Sequence, residues 1–352
     1  MGQKIKLLIV DDSALIRKIL VDGLGSDPNI EVVGTAHDPF EARDKIVHLK
    51  PDVLTLDLEM PRMDGLEFLQ RLMPQYPLPV VIVSALAEKG QKLALDCLAA
   101  GAIDFVTKPR GNYKYTTKQM LLELKTKIKI ASTVNVSHYK FDPMKKTTPI
   151  KPRGILGKTT DKMIIIGAST GGTEAIKKVL TNLPPDIPGI VIVQHMPPGY
   201  TTTFANQLND LCPITVKEAE DGDRIITGRA LISPGDKHTQ ILRIGGQYRV
   251  QVKAGEPICG HCPSVEALML SAAECAGHNA IGIILTGMGK DGAGGLKAMR
   301  ATGARTVGQN EESCVVFGMP KEAYRIGAVE KLVHIDQMAA AIIYLVNQSF
   351  NK

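Results

Sequence analysis

Tryptophan is missing from this 352-residue chain, and aromatic residues make up only 4% of it. Proteins that grip single-stranded nucleic acid stack its bases on aromatic rings, so that mode of binding lacks its platforms here. Long apolar runs are missing too. None approaches the eighteen or so residues that a membrane-spanning helix needs, so no membrane insertion is expected. The N-terminal Met1-Gly2-Gln3-Lys4-Ile5-Lys6 leads through a short apolar run to Asp11-Asp12, which reads as a strand and not a signal peptide. Lys6 breaks the N-myristoylation pattern. Cysteine is sparse and scattered, at Cys97, Cys212, Cys259, Cys262, Cys275 and Cys314, so reduced thiols in a cytoplasmic protein are the expectation.

What is present is ordinary for a folded chain with room for two hydrophobic cores. The chain is 44% hydrophobic and 22% charged, and its length suggests two domains. A net charge of +6 gives a mild preference for acidic partners, but part of that surplus sits in one basic segment and is weak support for DNA binding.

In the first third, short β-branched runs alternate with helical patterns. Residues 6–10, 31–35, 53–56, 80–83 and 103–106 read as strands, and apolar residues between them recur at helical spacing. Five such repeats imply a doubly wound parallel sheet with its site at the carboxyl ends of the strands. Asp11 and Asp12 end the first strand, Asp57 the third, Ser84 the fourth, and Lys108-Pro109 the fifth. Three carboxylates at one sheet edge repel one another unless a divalent cation sits among them, and oxygen-only ligands favour Mg²⁺. A lysine and a hydroxyl on neighbouring strands could then hold a phosphoryl group, with Asp57 as its acceptor. Acidic strand ends that merely cap helices would explain any one of these positions, but not all five together.

This segment resembles the receiver domain of bacterial two-component response regulators. The likeness rests on Val10-Asp11-Asp12-Ser13, the run from Leu56 to Gly65, Ser84-Ala85 and Lys108-Pro109. It implies that a histidine kinase phosphorylates Asp57, with Mg²⁺ held by Asp11, Asp12, Asp57 and the Glu59 carbonyl. Ser84, Phe105 and Lys108 would be the switch residues, and the Lys108–Pro109 bond would be cis. A helix over about 118–130 closes this domain, taken as residues 1–130. Residues 131–160 mix lysines and Arg153 with Pro143, Pro149, Pro152 and Gly154, the composition of a solvated basic tether.

Residues 161–352 alternate again. Strands are expected at 190–193, 230–232, 281–285 and 305–307, and helices near 202–211, 264–275, 294–301 and 336–346. The run Met163-Ile-Ile-Ile-Gly-Ala-Ser169-Thr-Gly-Gly172 passes from strand to helix through Gly-x-Ser-x-Gly, which exposes Ser169 at a sharp turn beside helix N–H groups. A glycine-rich turn whose serine only caps the helix is the plainer account of that stretch alone. A second loop places His195 straight after an apolar strand, in Gln194-His195-Met196-Pro197. The third, Leu285-Thr-Gly-Met288-Gly-Lys-Asp291-Gly-Ala293, carries a carboxylate. Taken singly, His195 could be a strand-end histidine and Asp291 a helix cap. Together a nucleophile, a base and an orienting acid are the minimum for acyl transfer at neutral pH. The order Ser, His, Asp differs from the Ser, Asp, His of α/β-hydrolases. Gly287 to Gly292 also spells a dinucleotide-binding fingerprint, but Asp291 would push a carboxylate toward a pyrophosphate.

The three loops together resemble the catalytic domain of the chemotaxis protein-glutamate methylesterases, over about Met163 to Val346, and a receiver joined to that domain is the architecture of the family. The resemblance implies two doubly wound α/β domains, the second Rossmann-like. It implies Ser169 as nucleophile, His195 as general base, Asp291 as its orienter, and Met288 N–H as oxyanion donor together with Thr170. No cofactor is expected for the esterase step. Substrates would be glutamate γ-methyl esters, and glutamines, on chemoreceptors, with phosphorylation of Asp57 opening a cleft that the receiver covers at rest. Cys259-Gly260-His261-Cys262 departs from the pattern, with Cys262 where arginine is expected. It spells C-x-x-C ahead of a helix whose N-terminus could lower a thiol pKa, which leaves redox or zinc roles as lesser readings. The rivals are a DNA-binding regulator, motivated by the pI of 8.9, and a catalytically silent binding module. The first needs a small helix-turn-helix output in place of a large α/β domain.

Overall fold

The computed structural model describes residues 3–84, 88–109, 116–136 and 161–348, so most of the expected tether lies outside the described residues. The chain divides into two compact units, Met1–Lys146 and Thr147–Lys352.

The first unit holds strands β1 (Ile5–Val10), β2 (Ile30–Ala36), β3 (Val53–Asp57), β4 (Val80–Ser84) and β5 (Asp104–Thr107). They alternate with helices α1 (Ala14–Gly25), α2 (Pro39–Leu49), α3 (Gly65–Gln75), α4 (Glu88–Ala99) and α5 (Thr117–Ala131). The sheet is parallel in the order β2-β1-β3-β4-β5. Strands β3 and β4 are buried along their length and β1 over its last four residues, as a sheet covered on both faces requires. The helices start where short polar side chains take the first free N–H groups. Ser13 accepts from Ile16, Asp38 from Phe40 and Glu41, and Asp64 from Glu67, while Thr116 and Gln119 form a reciprocal capping box. The chain leaves β1 for β2 on one side and then crosses to β3 on the other. That reversal opens a crevice at the carboxyl ends of β1 and β3, where Asp11, Asp12 and Asp57 lie.

The second unit begins with β6 (Met163–Ala168), α6 (Gly172–Leu180), β7 (Gly189–Gln194) and α7 (Tyr200–Leu211). It continues with β8 (Thr215–Glu218), β9 (Arg229–Ile232), β10 (His238–Ile244), β11 (Gln247–Lys253), α8 (Val265–Ala276) and β12 (Ala280–Ile284). It closes with α9 (Ala293–Ala301), β13 (Arg305–Gln309), α10 (Met319–Arg325), β14 (Lys331–Val333) and α11 (Ile335–Asn347). Seven strands form one parallel sheet in the order β14-β13-β12-β6-β7-β9-β8. The reversal here falls between β6 and β12, so the crevice opens beside the ends of the strands that precede Ser169 and Asp291.

The antiparallel hairpin β10–β11 stands apart from that sheet. Its turn is Gly245-Gly246, both at positive φ, as a two-residue hairpin loop requires. Ile241, Tyr248 and Val250 bury their side chains with those of α8 in the core. This hairpin and the edge strands β8 and β14 were not expected from the sequence. Thr-Val-Lys-Glu and His-Thr-Gln-Ile-Leu-Arg-Ile carry too much polar residue to stand out as apolar runs, because an edge or a single-faced ribbon buries only alternate positions. Among the described residues, no helix is long and apolar enough to cross a membrane.

Candidate functional site

In the second unit, the strand-to-helix turn after β6 is fixed from three sides. Ser169 N donates to Thr286 O (3.0 Å), while Ser169 O accepts from Gly172 N (2.7 Å) and from Gln194 Nε2 (2.9 Å). Gly171 sits at φ 76° with Val315 packed where a Cβ would stand, so both its backbone and its surroundings call for glycine. Thr286 ties the next loop to this one, its Oγ1 donating to Thr170 O (3.0 Å) and accepting from Val316 N (2.9 Å). Gln194 is buried between the serine and histidine loops, and neither it nor Thr286 was singled out from the sequence.

His195 and Asp291 come together. His195 Nε2 lies 2.8 Å from Asp291 Oδ2, and both side chains are almost fully buried, at 8% and 1% exposure. Asp291 also accepts from Val265 N (2.7 Å), Glu266 N (3.0 Å) and Ser264 Oγ (2.8 Å), so its carboxylate sits on the N-terminus of α8. Burial works to raise its pKa, but the hydrogen bond and charge of His195 and the bonds from Ser264 and Glu266 outweigh it, and the carboxyl lies below its ordinary range. Gly292, at φ 85°, passes so close to Val265 that a Cβ would collide with it, which is how the acid's loop reaches this helix end.

The remaining nitrogen, His195 Nδ1, is buried and meets no hydrogen-bond partner, so Ser169 Oγ is not bonded to it here. Ser169 and His195 nonetheless directly follow the adjacent strands β6 and β7, with His195 N donating to Ala168 O (3.2 Å). Such nucleophile–base bonds commonly tighten only with substrate in place. Met288 is nearly half exposed (48%), and its N–H donates to no backbone carbonyl among the described residues. Thr170 is buried, its carbonyl taken by Thr286. The dinucleotide reading of Gly287–Gly292 fails because Asp291 faces His195 and α8 rather than an open phosphate cradle.

The C-x-x-C readings are corrected. Burial raises the Cys259 and Cys262 thiols, reinforced by Asp291 and Glu266 at Cys259 and by Asp236 at Cys262. The N-terminus of α8 does not lower them, because Asp291 already occupies its N–H groups. Nor do the two thiols and His261 gather into a metal site. Among the described residues, the one group of acids, thiols or imidazoles close enough to share an ion is Asp11, Asp12 and Asp57.

In the first unit, the ligand oxygens of those three residues lie within 4.8 Å of one another. Lys108 Nζ lies 2.8 Å from Asp11 and 2.7 Å from Asp57. Burial raises the Asp57 carboxyl to about 6, Lys108 opposes that rise, and Asp11 adds to it. Three carboxylates against Lys108 leave this cluster short of positive charge among the described residues, and its hard oxygen donors suit Mg²⁺. Glu59 N reaches Asp57 Oδ1 at 3.4 Å. Ser84 is fully buried at the end of β4, its carbonyl accepting from Lys108 N (2.7 Å). Phe105 is buried in β5, with Lys127 over its ring at 5.4 Å. The Lys108–Pro109 bond, expected cis, is not so: the cis bond among the described residues is Cys262–Pro263. The two isomers of an X-Pro bond differ by only about 0.5–1 kcal/mol, too little for neighbouring residues to reveal.

Residues 7–118 match the family described as response regulator receiver domain, and residues 164–342 match CheB methylesterase. The protein is thus a two-domain response regulator whose output domain is an enzyme. It belongs to the CheB methylesterase family. A protein-glutamate methylesterase/protein-glutamine glutaminase of Syntrophotalea carbinolica is 56% identical over 99% of both chains. One from Salmonella typhimurium is 50% identical over 97% of this chain and 96% of its own. The crystal structure of the Thermotoga maritima CheB methylesterase catalytic domain is 36% identical, with a TM-score of 0.52, over 53% of this chain and all of that one.

Proposed function

We propose that this chain is a phosphorylation-controlled hydrolase that removes methyl groups from glutamate γ-methyl esters of chemoreceptors and deamidates receptor glutamines. The observation that carries this reading is the buried His195–Asp291 pair beside the Ser169 turn. Asp291 holds Nε2, which leaves Nδ1 as the nitrogen able to take the Ser169 proton. Ser169 Oγ attacks the ester carbonyl, and the Met288 N–H, with Thr170, supports the oxyanion. The imidazolium, stabilised by Asp291, returns its proton to the leaving group, which departs as methanol or, from glutamine, as ammonia. Water, deprotonated by the same imidazole, then releases the glutamate carboxylate.

Control rests in the first unit. Asp11, Asp12 and Asp57, with the Glu59 carbonyl, would hold Mg²⁺, which offsets the crowded negative charge when bound. Asp57 would accept the phosphoryl group from a histidine kinase of the chemotaxis pathway, and Lys108, 2.7 Å from Asp57, and Ser84 would meet its oxygens. Phe105 completes the switch set. Reduced thiols and a cytoplasmic signalling partner favour a cytoplasmic location.

The test is methanol release from methylated chemoreceptor membranes, with and without a small phosphodonor. Release should vanish in Ser169→Ala, rise with phosphodonor, and lose that rise in Asp57→Asn. Release that survives Ser169→Ala would exclude Ser169 as nucleophile.

A further inference from the structure

His261 lies flat against the catalytic base. Its ring centroid is 3.8 Å from that of His195, and the two planes are 11° apart. We propose that His261 is a positioning residue that fixes the plane of the His195 imidazole through this stack; the inference rests on the reading of His195 as general base.

The hydrogen bond to Asp291 lies in the plane of the His195 ring and anchors one atom, Nε2. A single in-plane anchor leaves the ring able to roll about that point, and such a roll would swing Nδ1 away from Ser169. A second ring in face contact removes that freedom, because His195 cannot turn about its Cβ–Cγ bond without driving its edge into His261.

The placement is built by the backbone. Ile258 and His261 exchange both of their hydrogen bonds, at 3.0 Å each. They do so across Cys259 (φ 53°) and Gly260 (φ 85°), the two positive angles of a type I′ turn. Three residues on, Ser264 caps α8 and, with Val265 and Glu266, grips Asp291. One short segment therefore sets both the plane of the base and the position of its acid, and the bare Cys-Gly-His-Cys spacing gave no hint of this.

The test uses the full chain and a small fluorophosphonate, which phosphonylates an activated serine without needing receptor recognition. The serine oxygen bonds phosphorus, fluoride leaves, and the proton passes to the base. His261→Phe keeps a flat face and should label Ser169 within about threefold of wild type. His261→Leu, of comparable bulk but without a face, should label about tenfold more slowly or worse. Its methanol release from receptors should lose kcat with KM unchanged. If His261→Leu lowers the unfolding midpoint, His261→Asn, planar but without an aromatic face, replaces it and should be as slow. Leucine and phenylalanine variants that label at equal rates would overturn the stacking role. Wild-type protein that takes up no label at Ser169 would instead remove the nucleophile assignment, and this inference with it.

Discussion

Asp57 and Asp291 are both buried carboxylates in crevices at the carboxyl edge of a parallel sheet, and their surroundings drive them in opposite directions. Asp57 shares Lys108 with Asp11, and its carboxyl is raised to about 6, chiefly by burial. Asp291 also feels burial, but it takes hydrogen bonds from His195, Ser264, Val265 and Glu266 and is held below the ordinary range. The contrast follows the tasks. The carboxylate proposed to receive a phosphoryl group accepts from Leu58 N (2.8 Å) and meets Lys108, but it lies in an acidic cluster with Asp11 and Asp12 that leaves room for a further cation. One that must stay anionic beside an imidazolium is saturated.

The largest break in this contrast is Asp291→Asn, which removes the charge and disturbs the tautomer of His195. Methanol release should fall by about 10³–10⁴-fold, read from initial rates.

At the other site the sign reverses. Asp57 has a folded pKa above its unfolded value, so the folded state holds its proton more tightly. Its contribution to stability is present below the ordinary carboxylate value of 3.8 and is lost as pH rises to about 6. Asp57→Asn should therefore stabilise the receiver at pH 7 by about 1–3 kcal/mol in Mg²⁺-free buffer, with the gain shrinking toward pH 4. Mg²⁺ should stabilise the wild type more than the variant. Urea unfolding at several pH values, with and without Mg²⁺, checks both points.

Ser264→Ala sharpens the comparison by taking one donor from Asp291 and the cap from α8. It should cost about 1–2 kcal/mol in urea unfolding and bring the Asp291 pKa closer to that of an ordinary carboxylate. The smallest effect is expected at Cys259, a non-glycine residue at φ 53°. Cys259→Gly should leave stability within about 1 kcal/mol of wild type, with the relief of left-handed strain set against the added freedom of the unfolded chain.

Much of this was legible in the sequence. Strand-end residues such as Asp11, Asp57 and Lys108 could be found because a parallel sheet sends its polar loops to one edge, and the Ser169, His195 and Asp291 loops follow the same rule. The partners that hold Asp291 could not be found that way. Ser264 lies 27 residues from it, and Val265 and Glu266 act through backbone N–H groups that any residue but proline would supply. His261 stood in view only as a spacer between two cysteines, because a stack leaves no period in the chain. Hairpin β10–β11 was hidden by its exposed face.

The reversal of strand order between β6 and β12 also orders events during synthesis. Met163 pairs with Ala280, and every strand of the sheet between them in the chain is made before β6 gains its second neighbour. Until then one edge of the central strand stands unpaired, a contact of long sequence separation that folds late and is exposed to wrong pairing meanwhile. Ser169 leaves the ribosome more than a hundred residues ahead of Asp291. A truncated product ending before β12 would carry Ser169 and His195 without Asp291, and on the proposed mechanism would be inert toward receptor esters.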